Sequence, residues 1–116
     1  IGFEHEYQRL WTTNDFGSTI FIRIAGFGTS SGAQRYCSRI AEIMRSKAPA
    51  PEAFVVDGVP GALGVRGIDR DGSASAVFAT KERRCVEVLW GGTNDVPSAE
   101  QIGKVTELFR RQYAAV

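Results

Sequence analysis

Apolar residues gather in six short stretches of the chain, and in the clearest of these apolar and polar residues alternate, as in half-buried β-strands. In the second stretch, for example, Ile20, Ile22 and Ile24 share one face. Turn-forming residues bound the stretches, and Asp71-Gly72 is a typical two-residue hairpin signal. The pattern predicts strands over residues 3–12, 18–27, 52–58, 62–68, 73–80 and 83–91.

Two further segments repeat apolar residues every three or four positions, which is the period of an amphipathic helix. The first follows Ser31 and Gln34, whose spacing predicts a capping box, and it ends before Pro49 because proline cannot continue a helix. The second follows Ser98, which forms a second capping box with Gln101. Its inward residues are predicted to be Ile102, Val105, Leu108, Phe109 and Tyr113.

The predicted order of elements is β-β-α-β-β-β-β-α within a single domain spanning residues 1–116. Because hairpin connections dominate, the strands are expected to form an antiparallel sheet. Each helix has one apolar stripe, so we expect both amphipathic helices to pack on one face of that sheet. The fold class is therefore predicted to be α+β.

Charge and hydropathy argue against two classes of partner. The 116 residues carry 14 Lys or Arg against 13 Asp or Glu, a net charge of +1. This balance lacks the strong basic field of a nucleic-acid-binding protein, so no nucleic-acid partner is expected. The most apolar run, TIFIRIAGF, is short and contains Arg23, so no transmembrane span is predicted.

The glycine-rich stretch GVPGALG (58–64) resembles a phosphate loop in composition, but a strand follows it instead of a helix. Pro60 and Gly61 fit the central positions of a type II turn, so a structural turn is predicted, with φ above zero at Gly61. The stretch GFGTSSG (26–32) does run from a strand to a helix, which makes it a weak candidate for anion binding. No metal or cofactor site is predicted, because His5 is the only histidine and the two cysteines lie far apart.

Cys37 and Cys85 form either a disulfide or two buried thiols, and an exported domain would favour the disulfide. Cys37 lies on the apolar stripe of the first helix. Cys85 has the opposite parity to Val86, Val88 and Trp90, so it should point away from the core that those residues form. We predict a bridge that joins the first helix to the sheet, although this parity speaks against it.

Two residues could support catalysis. Glu87 interrupts the apolar run CVEVLW, where a buried carboxyl could act as an acid, although it more simply marks the polar face of a half-buried strand. His5 would have to serve as the general base in any Ser-His scheme, yet no serine occupies a nucleophile elbow. The expectation is that the chain has no catalytic residues and is not an enzyme.

Aromatic residues could line an apolar pocket between the sheet and the helices, although aromatic residues on strands are more commonly part of the core. The candidate pocket residues are Tyr7, Trp11, Phe21, Phe78 and Trp90.

Several motifs together resemble the small secreted or lipid-anchored domains of actinobacteria, many of which have no known function. The motifs are YQRLW (7–11), IFIRIAGF (20–27), VDGVPGA (56–62), AVFATKERRCVEV (76–88) and RRQY (110–113). More distantly, the chain is similar to the mycobacterial LpqN/LpqT-type lipoproteins, whose fold is PsbP-like, with helices packed against an antiparallel sheet. The resemblance implies export, a non-enzymatic role, and attachment to the envelope through an N-terminal lipid on a cysteine that this sequence lacks.

We therefore expect an extracellular or envelope-associated domain, without cofactor, that binds a partner protein or an apolar envelope ligand. Two alternatives stay open. The first is a small hydrolase-like enzyme that uses Glu87 or His5. The second is a structural accessory domain of a larger exported protein.

Overall fold

A computed structural model describes the chain over residues 3–12, 19–46, 52–69, 72–92 and 99–116, and over residues 3–12, 68–69, 72–73 and 100 it describes the backbone alone. Eight elements lie within these ranges. They are β1 (Phe3–Thr12), β2 (Thr19–Phe27), α1 (Ser30–Arg45), β3 (Glu52–Phe54), β4 (Leu63–Asp69), β5 (Gly72–Lys81), β6 (Arg84–Gly92) and α2 (Ala99–Ala115).

The six strands form one antiparallel sheet in the order β1-β2-β6-β5-β4-β3. Four of the five neighbouring pairs are strands that follow one another in the order of strands along the chain, whereas β2 and β6 meet across a long separation in sequence. Strands β2, β6, β5 and β4 therefore lie inside the sheet, and β1 and β3 form its two edges.

An aliphatic core fills the face of the sheet that α2 covers. Ile22 on β2 pairs with Val88 on β6, and Val88 pairs in turn with Val77 on β5. Above this row, α2 contributes Val105 and Phe109, neither of which is exposed to solvent. Burial of a side chain such as Phe109 typically stabilises a fold by about 1.5–3 kcal/mol, so this core is a main source of stability.

A second core lies on the opposite face, beneath α1. Cys37, Ile40 and Ala41 of α1 pack there against Phe78 of β5 and Cys85 of β6. Phe78 follows Val77 of the first core, and Cys85 precedes Val86 of the first core. Neighbouring residues of a strand point to opposite faces of the sheet. The two helices therefore lie on opposite sides of the sheet.

The predicted α+β class and the predicted order of elements are confirmed. The placement of both helices on one face of the sheet was wrong, because α1 and α2 contact residues of opposite parity. The inner strands have apolar residues on both faces, as in a sheet covered on two sides, whereas the common antiparallel sheet leaves one face to water.

Helix α1 begins earlier than the proposed capping box. Thr29 is the N-cap residue, and its Oγ1 accepts a hydrogen bond of 3.0 Å from the backbone N–H of Gly32. Its extended backbone, with φ −139° and ψ 156°, is typical of an N-cap. Ser31 and Gln34 are instead exposed helical residues. The second proposed capping residue, Ser98, lies outside the described residues.

The stretch from Phe54 to Ala62 leaves the sheet after only three residues of β3, not seven as predicted. Val56 and Val59 turn into the core beneath α2, and Arg110 of α2 donates a 2.9 Å hydrogen bond from Nε to the Asp57 carbonyl. These contacts hold the segment against the helix, so the backbone cannot continue along β4.

The turn within this segment has the geometry expected of Pro60-Gly61. The Ala62 N–H donates a 3.1 Å hydrogen bond to the Val59 carbonyl, and Gly61 has φ +80°. A positive φ at the third residue of the turn is the mark of a type II turn, and glycine adopts it without strain. GVPGALG therefore reverses the chain.

We predict that Gly61→Ala lowers the free energy of unfolding by about 1 kcal/mol, because alanine is strained at positive φ. A Cβ atom at Gly61 would meet nothing within 4 Å, so backbone strain alone sets the cost. Gly103→Ala is the matched control: its Cβ would also enter open space, but within α2. There alanine should raise stability by about 1 kcal/mol. Urea unfolding measures the change in the free energy of unfolding for both variants, which should have opposite signs. A change of the same sign in both would show that the turn is assigned wrongly.

Candidate functional site

A disulfide links Cys37 of α1 to Cys85 of β6, with the two Cα atoms 5.8 Å apart. Both cysteines are buried in the core beneath α1. The parity of Cys85, which directs it away from Val86 and Val88, is what brings it to this helix. The apparent conflict in the sequence arose from placing α1 on the wrong face.

A cleft of about 320 Å³ lies beside the disulfide, between α1 and strands β4 and β5. Cys37, Ala41, Leu63, Phe78 and Ala79 supply its apolar lining. Gln34, Ser38, Glu42 and Arg45 of α1 and Thr80 of β5 add polar groups, and Gly61 of the type II turn also borders it. The four polar α1 residues follow one another at intervals of three or four, so they form one row along a helix flank. The cleft therefore combines a shallow apolar floor with a polar rim.

The aromatic residues predicted to line a pocket do not lie together. Phe78 lines the cleft beneath α1, and Phe21 shares that face because it pairs with Leu89, a residue packed against the same core. Trp90 packs against the core on the opposite face, beneath α2. The prediction was wrong in grouping Trp90 with Phe78, since strand registry was needed to show their opposite parity. The side chains of Tyr7 and Trp11 lie outside what the structure describes.

Glu87 is buried on the α1 side of the sheet, with 4% of its surface exposed. Arg23 lies directly opposite on β2, and its Nε atom is 3.6 Å from Glu87 Oε1. Arg23 also donates a 3.0 Å hydrogen bond from Nη1 to the hydroxyl of Tyr36 on α1. The carboxylate is therefore compensated by a guanidinium that connects the sheet to the helix, and it is not on the polar, solvated face that we expected.

Glu87 and His5 do not occupy neighbouring positions in the sheet. His5 on β1 pairs with Gly26, whereas Glu87 pairs with Arg23, three residues away on the same strand. The ordinary strand spacing and rise place the two Cα atoms about 14 Å apart. The His5 side chain lies outside the described residues. Backbone pairing in the sheet therefore does not bring Glu87 and His5, the residues of the enzymatic alternative, next to each other.

Sequence reasoning did not identify Arg23, Tyr36 or the polar rim as a group. Arg23 and Glu87 are both charged residues within otherwise apolar strands. Because buried charges are usually paired, this shared feature could have predicted that they contact each other. Gln34 and Thr80 carry no comparable signal, because only the tertiary fold brings this helix flank next to β5.

Among the described residues, no group of three or more His, Cys, Asp or Glu side chains is placed to hold a metal ion. The described helices are all too short or too polar to cross a membrane. At the start of α1, within GFGTSSG, the Gly32 N–H already donates a hydrogen bond to the Thr29 side chain. Nothing else in the described part of the chain indicates an anion at that helix end.

No family model matches this chain, and no curated protein matches its sequence. Among solved structures, the fold is similar to that of the extracellular domain of PknH from Mycobacterium tuberculosis, with a TM-score of 0.63 and 13% sequence identity. The match covers 99% of this chain and 66% of that domain's chain. At this identity the likeness shows a shared fold. The resemblance to LpqN/LpqT-type lipoproteins and the PsbP-like fold stays a prediction.

We predict that replacing both bridged cysteines, as Cys37→Ala/Cys85→Ala, lowers the free energy of unfolding by about 4 kcal/mol. The bridge spans 48 positions of sequence, and the variant regains the chain entropy of that loop in the unfolded state. Urea unfolding with and without a reductant measures the effect. Reductant should destabilise the parent protein and leave the variant unchanged, and a parent insensitive to reductant would contradict the bridge.

Arg23 of β2 and Glu87 of β6 form an ion pair beneath α1. Arg23→Met should lower the free energy of unfolding by about 2 kcal/mol, less than for a fully buried pair because Arg23 is partly exposed. Adding Glu87→Gln to that variant should restore part of the loss, since it removes the buried charge. In the parent background the same Glu87→Gln change should be destabilising. If Glu87→Gln has the same effect in both backgrounds, the two side chains are not coupled.

Proposed function

We propose that this chain is an exported, non-enzymatic domain that binds a segment of a partner protein in the cleft between α1 and strands β4 and β5. The observation that supports this proposal is the cleft itself. Its volume of about 320 Å³ lies at the lower end of the range for ligand sites, and polar groups converge on it from one helix flank and one strand.

The burial of the cleft floor favours a peptide over an apolar ligand. Cys37, Ala41 and Phe78 are 7%, 8% and 3% exposed, so the floor offers little surface to a hydrocarbon chain. Apolar binding gains only about 25 cal/mol for each Å² removed from water. The rim, in contrast, offers amide, hydroxyl, carboxylate and guanidinium groups that can pair with a peptide backbone and its side chains.

Two observations support export. A disulfide between two buried cysteines is typical of secreted and envelope proteins. The solved structure with a similar fold is itself an extracellular domain. In the same proposal, membership of the LpqN/LpqT-like lipoproteins would add attachment to the envelope through an N-terminal lipid.

A non-enzymatic role agrees with the position of the one strong acid candidate. Glu87 is compensated by Arg23, and it is not among the residues that line the cleft. A general acid or base must lie within hydrogen-bond reach of the reacting group. A carboxylate enclosed between the sheet and α1 therefore fits a structural role better than a catalytic one.

Site-specific photo-crosslinking tests the proposal. A benzoylphenylalanine residue replaces Ser38, on the cleft rim, in the full-length protein as its own cells produce it, and irradiation is followed by mass spectrometry. The same replacement at Lys104 on α2 is the control, since that position is exposed but lies on the other side of the sheet. We expect a protein adduct of defined mass at position 38 that is absent at position 104.

A lipid adduct at position 38 would overturn the choice of a peptide and favour the apolar ligand. No adduct, or equal adducts at both positions, would overturn the cleft as a binding site.

A further inference from the structure

We infer that the outer surface of α1 docks an acidic segment of a partner protein, an inference that rests on the binding role proposed above. This outer surface borders a shallow depression of about 510 Å³. Its residues are Ser31, Gln34, Arg35, Ser38, Arg39 and Glu42. Gln34, Ser38 and Glu42 also line the cleft, so the outer surface and the cleft form one continuous binding region.

The charge of α1 is unbalanced. Arg35, Arg39 and Arg45 are all exposed, and Glu42 is the single carboxylate of the helix. Across the part of the chain that the structure describes, none of these three arginines has an ion pair or a side-chain hydrogen bond. Their guanidinium groups are therefore available to a ligand.

The arginines of α2 are different, because contacts within the chain already engage them. Arg110 donates a hydrogen bond to the Asp57 carbonyl, and it lies 3.7 Å from a carboxylate oxygen of Glu107. Arg111 lies 3.4 Å from the other oxygen of Glu107. Within the described residues, the three arginines of α1 therefore differ from those of α2, and they mark a surface with an excess of positive charge.

The shape and residue types of the outer surface favour a protein segment over a membrane. Ser31 and Ser38 are small, so the depression between them can accept side chains of a partner. Arginine matches a carboxylate through two parallel hydrogen bonds, which suits Asp and Glu side chains. Attachment to a membrane surface usually adds apolar or aromatic side chains that insert between the lipids, and the six residues of the outer surface include none.

Fluorescence anisotropy with a defined probe tests the inference. The probe is a fluorescein-labelled helical peptide of alternating Ala and Glu blocks, titrated with the full, disulfide-bonded chain. Arg35→Gln/Arg39→Gln should weaken binding about tenfold, since each exposed ion pair contributes modestly. Lys104→Gln/Arg111→Gln is the matched control: it removes two cations from a similar depression on α2, and it should change the affinity by less than about twofold. Raising the salt from about 50 mM to about 500 mM should weaken binding to the parent protein.

Three results would overturn the inference: equal weakening by both double variants, no binding of the acidic peptide, or binding of phosphatidylglycerol vesicles in place of the peptide. Circular dichroism of each variant verifies that the fold is retained.

A crosslink at position 38 to a partner that lacks acidic segments would refute this inference and leave the proposed function standing. Absence of any crosslink there would refute both.

Discussion

Strand β6 has apolar surroundings on both of its faces, and the rest of the fold depends on its register. Val86 and Val88 point toward α2, whereas Cys85 and Leu89 point toward α1. A slip of one residue would exchange the two faces. It would bring Glu87 into the aliphatic core beneath α2 and direct the cysteine away from its partner helix. The pairing of β6 with its neighbours is therefore fixed from both sides, and it determines where each helix attaches.

The two helices are attached by different chemistry. Helix α2 combines an apolar core with polar contacts, such as Arg110 to the Asp57 carbonyl and the Lys81 ammonium to the Tyr113 carbonyl. Helix α1 is held by its inward residues, through the Cys37 bridge and the contact between Tyr36 and Arg23. Its outward side chains take no part in that attachment, which leaves them available for binding.

The local elements could be predicted from the sequence because their signals are local. Alternation in β2 and the spacing of apolar residues in α1 depend only on neighbours a few positions away. The Pro60-Gly61 turn was equally readable, since few residue pairs suit that geometry. The sequence also contained a signal that the helices lie on opposite faces. Cys37 lies on the inward stripe of α1, and Cys85 has the wrong parity for the core beneath α2. This signal was overlooked because an antiparallel sheet usually has only one covered face.

The cleft and the polar cluster beneath α1 could not be predicted in the same way. They depend on which strand lies beside which, and the paired residues of β2 and β6 are 58 to 72 positions apart in sequence. Without that pairing, Arg23 and Glu87 are two isolated charges in apolar strands, and Phe78 and Trp90 are two aromatic residues of one hairpin. Strand order brings the first two residues together, and the register of the β5–β6 hairpin places the last two on opposite faces.

The outward face of α1 is the part of the molecule that the fold explains least. Arg35 and Arg39 are spaced so that like charges lie on neighbouring turns, which typically destabilises a helix by about 0.2–0.5 kcal/mol. The fold gains nothing from this arrangement within the described residues, since neither side chain has a partner there. Departures from local preference that the fold does not compensate are expected at functional surfaces. A partner that supplies carboxylates would remove the repulsion, so the same feature that weakens the isolated helix would favour the complex.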